Sequence, residues 1–351
     1  MQHKKWKKIA VAAVLISAAE GALWFMREYN LSQKPAVSTD FIMDTIIEQK
    51  FYGKNAELAV QDINEALRQF EAKASMYRKS SEIASLNEAA GTEVALSPEI
   101  YDLLKKSKEL SQQSQGAFDI TVGPLTKLWG VTSSDPHVPE EEDLAKAMSL
   151  VGIEDLHLND ENRTAKLLHK GQAVDLGGIA KGAVCDIVRD VAEQYGITTG
   201  YASIGGDMVV LDGKPRNRDF TFGIRDPKGT DSQAIGAVML YGQTMATTGG
   251  YERFFEEDGV TYCHVINPKT GWPAESDLLS VSVISEDGAL ADFLSTTLFI
   301  LGKDSVIRCL DRTDFQVIAL AEDDIVYCSK SLEGKILPVP DAHPYQFVYG
   351  G

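Results

Sequence analysis

The stretch Val174-Asp175-Leu176-Gly177-Gly178-Ile179-Ala180-Lys181-Gly182 organises the chain. Three glycines and a lysine follow a carboxylate at the end of a short apolar run, Ala173 to Leu176. A helical pattern then begins, with Ala183, Ile187, Val188, Val191 and Tyr195 at helical spacing. A strand, a tight glycine turn and a helix start together offer backbone N–H groups, the positive end of a helix dipole and one mobile ammonium, which suits phosphate oxygens. The same glycines suit close packing of helix on strand, and the residues alone leave both readings open. The spacing matches neither the GxxxxGKS/T phosphate loop nor the GxGxxG dinucleotide fingerprint.

With 351 residues, 44% of them hydrophobic, the chain can bury the core of one large domain or two ordinary ones. Its 51 acidic against 34 basic residues give a formal charge of -17, which repels a nucleic-acid backbone, and no basic stripe beyond the N-terminus compensates it. No nucleic-acid partner is expected. Cys185, Cys263, Cys309 and Cys328 lie too far apart for a CxxC metal site or a dense disulfide framework, so buried free thiols are expected unless export oxidises a pair.

The first residues read as an export segment. His3, Lys4, Lys5, Lys7 and Lys8 form a basic start, and an apolar run from Ile9 reaches Met26. The basic end belongs in the cytoplasm. Glu20 interrupts the run, no clean cleavage site stands near Ala18 or Ala22, and no cysteine follows to carry a lipid. Residues 1–36 are therefore either a cleaved signal or a retained membrane anchor plus linker, and the folded part, residues 37–351, is expected outside the cytoplasmic membrane, in the periplasm or on the outer face of a bacterial inner membrane.

Along that part, Ser32 to Asp40 reads as a polar linker and Phe41 to Ile47 as a first strand. Ile63, Ala66, Leu67 and Phe70 mark an amphipathic helix. Tyr77 stands in a polar turn, where it suits either stacking on a planar ring or a place in the core. Ser97-Pro98 starts a helix buried along Ile100, Leu103, Leu104 and Leu110. In Ala117-Phe118-Asp119, the acid suits gripping a base edge or capping the following turn. Residues 139–151 read as a helix, and Thr164 to Leu168 with Ala173 to Leu176 as a hairpin. The later half is rich in short strands, at Tyr201 to Ile204, Met208 to Leu211, Phe220 to Ile224 and Ile235 to Leu240.

His264 falls in a strand pattern that runs into an Asn-Pro turn, a position open to a base at a cleft edge or to a structural histidine. Asp292 and Thr296 are four apart on a helix, so their oxygens share one face and can reach a single hard cation. Two oxygen ligands suit Mg2+, which keeps waters and takes phosphate oxygens. The plainer reading is a threonine bonded back to its helix beside an exposed acid.

The order of these pieces is more specific than any one of them. GAFDITVGPL, VDLGGIAKG, SIGGD, ATTGGYER, HVINPKTG and ADFLSTTLFILG resemble, in sequence, the motifs of the FAD:protein FMN transferases, the ApbE-type flavin transferases, from about Phe41 to about Gly302. The resemblance implies a Mg2+-dependent enzyme that splits FAD at its pyrophosphate, passes FMN to a threonine hydroxyl of an exported or membrane redox flavoprotein, and releases AMP. It implies that Met43 and Tyr77 line the flavin end, that Ala117, Phe118, Asp119 and Asp175 contact FAD, and that Lys181 faces the phosphates. It also implies metal ligands in Asp292, Thr296 and the backbone oxygen of Gly178, with His264 as the base.

Two positions depart from the family pattern. Met43-Asp44-Thr45 replaces the usual Met-Gly-Thr, and Thr248-Gly249-Gly250-Tyr251 replaces Ser-Gly-Asp-Tyr. The same residues would serve an FAD pyrophosphatase giving FMN and AMP, or a non-catalytic FAD-binding protein. The expected architecture is a mixed α/β (α+β) unit of the ApbE-like, T-fold-related kind, with FAD in the cleft between lobes of roughly 37–170 and 171–351. Short strands and helices without regular βαβ units argue against a doubly wound sheet or a barrel.

Overall fold

The computed structural model describes residues 34–214, 220–230, 233–339 and 343–351. The expected signal or anchor lies almost wholly outside the described residues, among which no helix is long and apolar enough to cross a membrane.

The chain opens on β1 (Pro35–Ile42), which turns through Met43 and Asp44 into β2 (Thr45–Tyr52), with Ile42 opposite Thr45 and Phe41 opposite Ile46. This corrects the expected linker up to Asp40 and single strand from Phe41 to Ile47. Met43 and Asp44 hold φ of 57° and 54°, the left-handed pair of a two-residue hairpin turn, here made without a glycine to announce it. β1 is an edge strand whose Val37 and Phe41 are 66% and 71% exposed, so it lacks the buried alternation by which a strand is recognised.

In α1 (Ala56–Ala74) Ile63, Leu67 and Phe70 are buried at helical spacing, as expected. α2 (Glu82–Glu88) begins at Ser81, whose hydroxyl accepts the Ala84 N–H. After β3 (Val94–Ala95) comes α3 (Pro98–Gln113), with the expected buried row Ile100, Leu103, Leu104 and Leu110. α4 (Gly123–Trp129) and α5 (Glu141–Met148) follow, the second shorter than the expected 139–151.

β4 (Leu156–Asn159) and β5 (Thr164–Leu167) make the next hairpin, with β3 on the far side of β5. Residues 173–176, expected to pair with 164–168, instead thread the interior as an irregular segment. The Asn87 side chain stands in for a strand neighbour: its Nδ2 donates to the Val174 carbonyl at 3.0 Å and its Oδ1 accepts the Val174 N–H at 2.7 Å. On the other side Asp175 N–H donates to Ile120 O and Gly123 N–H to Ala173 O. Val174 is fully buried, so removing this clasp strands two backbone groups. Asn87→Ala is expected to lower stability by about 2–4 kcal/mol in urea unfolding, and a change within error would show that the clasp is dispensable.

The second half supplies α6 (Ala180–Gln194), β6 (Thr199–Ile204), β7 (Asp207–Val210), β8 (Phe220–Arg225), β9 (Ala234–Leu240) and β10 (Thr244–Gly249). Then come β11 (Phe254–Glu257), β12 (Val260–Cys263), β13 (Leu278–Ser285), α7 (Gly288–Leu301) and α8 (Lys303–Ile307). β14 (Gln316–Ala321), β15 (Ile325–Cys328), β16 (Ile336–Pro338) and β17 (Gln346–Tyr349) close the chain. Nine strands form one sheet in the order β1-β2-β6-β7-β10-β13-β14-β15-β17, antiparallel except between β15 and β17. Because β2 pairs with β6, this sheet joins strands from both sides of residue 170.

The central strands are covered on both faces, which explains their unbroken apolar runs. In β14, Val317 and Ala319 pack with Leu298 and Phe299 of α7, while Ile318 and Leu320 pack with Phe220 and Val238 of the small β8-β9-β16 sheet. α1, α6 and α7 share a core with Ile47 and Phe51 of β2. All four cysteines are free, three of them buried.

Candidate active site

The site begins where α6 meets α7. Gly182 and Gly288 let the two helices touch: a Cβ on Gly182 would lie 2.1 Å from the Gly288 carbonyl oxygen. Of the organising glycines, Gly182 therefore serves packing, helix on helix rather than helix on strand, whereas Gly177 and Gly178 line a cavity. The close approach brings Asp292 of α7 over the start of α6, where its Oδ2 accepts the Gly182 N–H at 2.8 Å. That amide, expected to be open to phosphate, is instead capped from the neighbouring helix, whose carboxylate suits the positive end of the dipole.

Asp292 is 2% exposed. Burial pushes its carboxyl up to about 6; Lys181 opposes the rise and Asp207 adds to it. A buried carboxylate of this kind is stabilised as an anion by a cation. One turn on, Thr296 stands beside Gly178, where an added Cβ would come within 3.4 Å of the Thr296 Oγ1 and 3.0 Å of the Phe118 ring. Thr248 Oγ1 lies 3.2 Å from Thr296 Oγ1 and 2.8 Å from Ser295 Oγ. Among the described residues no three His, Cys, Asp or Glu side chains form a metal cage. The set at hand is one carboxylate, one hydroxyl and the Gly178 backbone in a cradle kept free of a side chain. It fits a hard ion that takes its remaining ligands from water and substrate.

Lys181 donates from Nζ to Asp207 Oδ2 at 3.0 Å. Burial opposes its charge, but Asp207, Asp292 and Glu252 together outweigh that and hold the ammonium above the ordinary lysine range.

His264 follows β12 and opens a turn whose frame is set by Trp129. The fully buried indole donates to the Gly271 carbonyl at 2.7 Å, and Gly271 N–H donates back to Asn267 O. The His264 Nδ1 lies 3.2 Å from the Arg253 carbonyl oxygen. A carbonyl only accepts, so Nδ1 carries the proton and Nε2 keeps its lone pair. Burial lowers the ring's pKa to about 4, with the Arg253 carbonyl opposing and Lys181 and Arg253 adding to the fall, so the ring is neutral near pH 7.

These groups and the remaining candidates line one cavity of about 360 Å³. Met43, Tyr77, Ala117, Phe118, Asp119, Asp175, Gly178, Lys181, His264, Asp292 and Thr296 all contribute to its wall. Phe118 packs edge-on against Phe293 at 4.9 Å, which ties its loop to α7. Tyr77 is 60% exposed, a rim residue rather than a core one. The Asp119 carboxylate accepts from Thr121 N–H and Oγ1 and from Ile153 N–H, so it holds its own loop; burial nonetheless raises its pKa against those bonds. Asp175 accepts the Gly177 N–H at 2.9 Å, and its pKa is likewise raised by burial.

Sequence reasoning did not single out Thr45, Thr132, Thr247, Glu252 or Arg253, which also line the cavity. Glu252 and Arg253 sit in the ATTGGYER motif, and that was the available signal. Arg253 Nη2 donates to the Asp44 carbonyl at 2.9 Å and its own carbonyl accepts the His264 N–H, so it joins the β1–β2 turn to the histidine. Asp44 itself is not part of the cavity wall; it lines a neighbouring groove with Arg68, Glu71 and Arg78.

Comparison with known proteins places the chain among relatives. The family model described as the ApbE family matches residues 43–320. An FAD:protein FMN transferase of Klebsiella pneumoniae is 30% identical over 291 residues, covering 82% of this chain and 90% of that one. One from Haemophilus influenzae is 32% identical over 284 residues, covering 79% and 82%. The crystal structure of the ApbE protein from Thermotoga maritima superposes with a TM-score of 0.81 at 30% identity, covering 86% of this chain and 99% of that one. The flavin transferase ApbE from Vibrio cholerae superposes with a TM-score of 0.76 at 26% identity, covering 86% and 99%. A family model matched over residues 43–320, relatives 30% and more identical over most of both chains, and a shared fold establish that this chain belongs to the ApbE family.

Proposed function

We propose that this protein transfers FMN from FAD to a threonine hydroxyl of an acceptor flavoprotein, with Mg2+ as cofactor and AMP as the other product. The observation that carries the reading is the meeting, in one cavity, of a neutral His264, the Lys181 ammonium and the Asp292–Thr296 pair against Gly178. The names of the relatives support the same activity. Asp292, Thr296 and the Gly178 backbone oxygen would hold the ion, which when bound neutralises pyrophosphate oxygens as charge moves to the leaving group. His264 takes the hydroxyl proton on Nε2 as the threonine oxygen bonds to the FMN phosphorus; the P–O bond to AMP breaks, and AMP leaves with the bridging oxygen. Lys181 faces the phosphate oxygens throughout. Met43 and Tyr77 border the flavin end, with Ala117, Phe118, Asp119 and Asp175 along the rest of the dinucleotide. The export reading of residues 1–36 makes the acceptor an extracytoplasmic or membrane redox subunit.

Purified protein mixed with FAD and Mg2+, with and without such an acceptor, tests the reading. AMP formed only with acceptor, and flavin fluorescence on the acceptor band, are expected. AMP without acceptor would mean hydrolysis to FMN, and unchanged FAD a binding protein.

The pH dependence follows from the two itinerant protons. His264 stays neutral down to about pH 4, so on acidification Asp292, near 6, is the group that gains a proton first. Proton and divalent ion then compete for one carboxylate. The rate at about pH 5 is expected to fall and to recover as Mg2+ is raised; a loss indifferent to Mg2+ would assign it elsewhere.

A further inference from the structure

We propose that Asp207 is a positioning residue for this transfer, holding the Lys181 ammonium where the phosphate oxygens of the bound dinucleotide arrive. The proposal rests on the flavin-transferase reading above. Asp207 has no exposed surface. It opens β7 directly after the Gly205-Gly206 turn, where both glycines hold positive φ, and β7 is an interior strand of the large sheet. Both of its oxygens are engaged: Oδ1 accepts the Thr247 N–H of β10 at 3.0 Å, and Oδ2 accepts from Lys181 Nζ at 3.0 Å. The carboxylate is thereby fixed by the backbone of a neighbouring strand, and it fixes the lysine in turn.

Lysine needs such a partner because its ammonium is a point charge on a flexible four-carbon stem. One of its three N–H donors goes to Asp207, and two remain for substrate oxygens. Asp292 and Glu252 are the alternative carboxylates, both close enough for Lys181 to act on their charge, and Asp292 is the stronger of the two on the ammonium. An ammonium released from Asp207 would be drawn towards Asp292 and compete with a cation there. Asp207 therefore holds the ammonium off the carboxylate at which a cation would be held.

Asp207→Asn tests this with little change of shape. The amide oxygen can keep the Thr247 N–H bond, but the amide nitrogen then faces Nζ donor to donor. The expected result is a fall in kcat of about 10- to 100-fold, with KM for FAD and the FAD Kd from fluorescence quenching both within about threefold. In a Lys181→Met background the same substitution should change kcat by less than about threefold, because the group it positions is already gone. Equal losses in both backgrounds, or a loss in KM and Kd with kcat intact, would overturn the proposal. If thermal melts show that Asp207→Asn does not fold, Asp207→Glu keeps the ion pair and displaces Nζ by a methylene. It should then lower kcat at constant Kd, and an unaltered kcat would overturn the proposal. Wild-type protein in the same assay separates the two levels: a wild type that leaves FAD intact sinks the transferase reading itself, whereas an active wild type confines any failure to Asp207.

Discussion

Asp292→Asn is expected to fold and to lose about 10²- to 10³-fold in FMN transfer, the scale seen when one stabiliser of developing charge is removed. The asparagine oxygen can still accept the Gly182 N–H, so the cap on α6 and the glycine-to-glycine contact of the two helices survive. What disappears is the negative charge, the one anionic member of the set formed with Thr296 and Gly178. A packing role would give the opposite pattern, with activity retained and stability reduced. Steady-state transfer at saturating Mg2+, alongside thermal melts, distinguishes the two; near-normal turnover by a well-folded Asp292→Asn protein would remove the ion from this place.

His264→Gln should lower kcat by about 10²- to 10⁴-fold with little effect on KM for FAD, as expected for loss of a general base. Glutamine can donate to the Arg253 carbonyl, which preserves the turn, but no lone pair of suitable basicity remains where Nε2 stood. The split between kcat and KM matters because a histidine that only framed the cavity would change dinucleotide binding instead. Single-turnover transfer from prebound FAD measures the chemical step directly, and an unaltered rate there would leave the acceptor hydroxyl without its base.

What the sequence revealed depends on the range of the contact. Asp292 and Thr296 are four apart on one helix, so their shared face was legible from spacing. Trp129 donating to Gly271, Asp207 pairing with Lys181 and Asp292 capping Gly182 join residues far apart in the chain, and no local pattern announces them. The ordered motifs, by contrast, pointed to the residues that now line one cavity, although not to the bonds among them. The β1–β2 hairpin escaped notice because its turn uses Met43 and Asp44 where glycine or asparagine is the usual sign. The segment 173–176 looked like a strand because it is apolar and buried; its backbone is satisfied by the Asn87 side chain and by Ile120, which periodicity does not report.

Anomalous diffraction from crystals grown with FAD and Mn2+ in place of Mg2+ is the most direct measurement of the central claim. The account predicts a manganese peak at coordination distance from Asp292 and Thr296 and in contact with the FAD phosphates. A peak elsewhere in the cavity, or phosphates bound away from those two side chains, would contradict it.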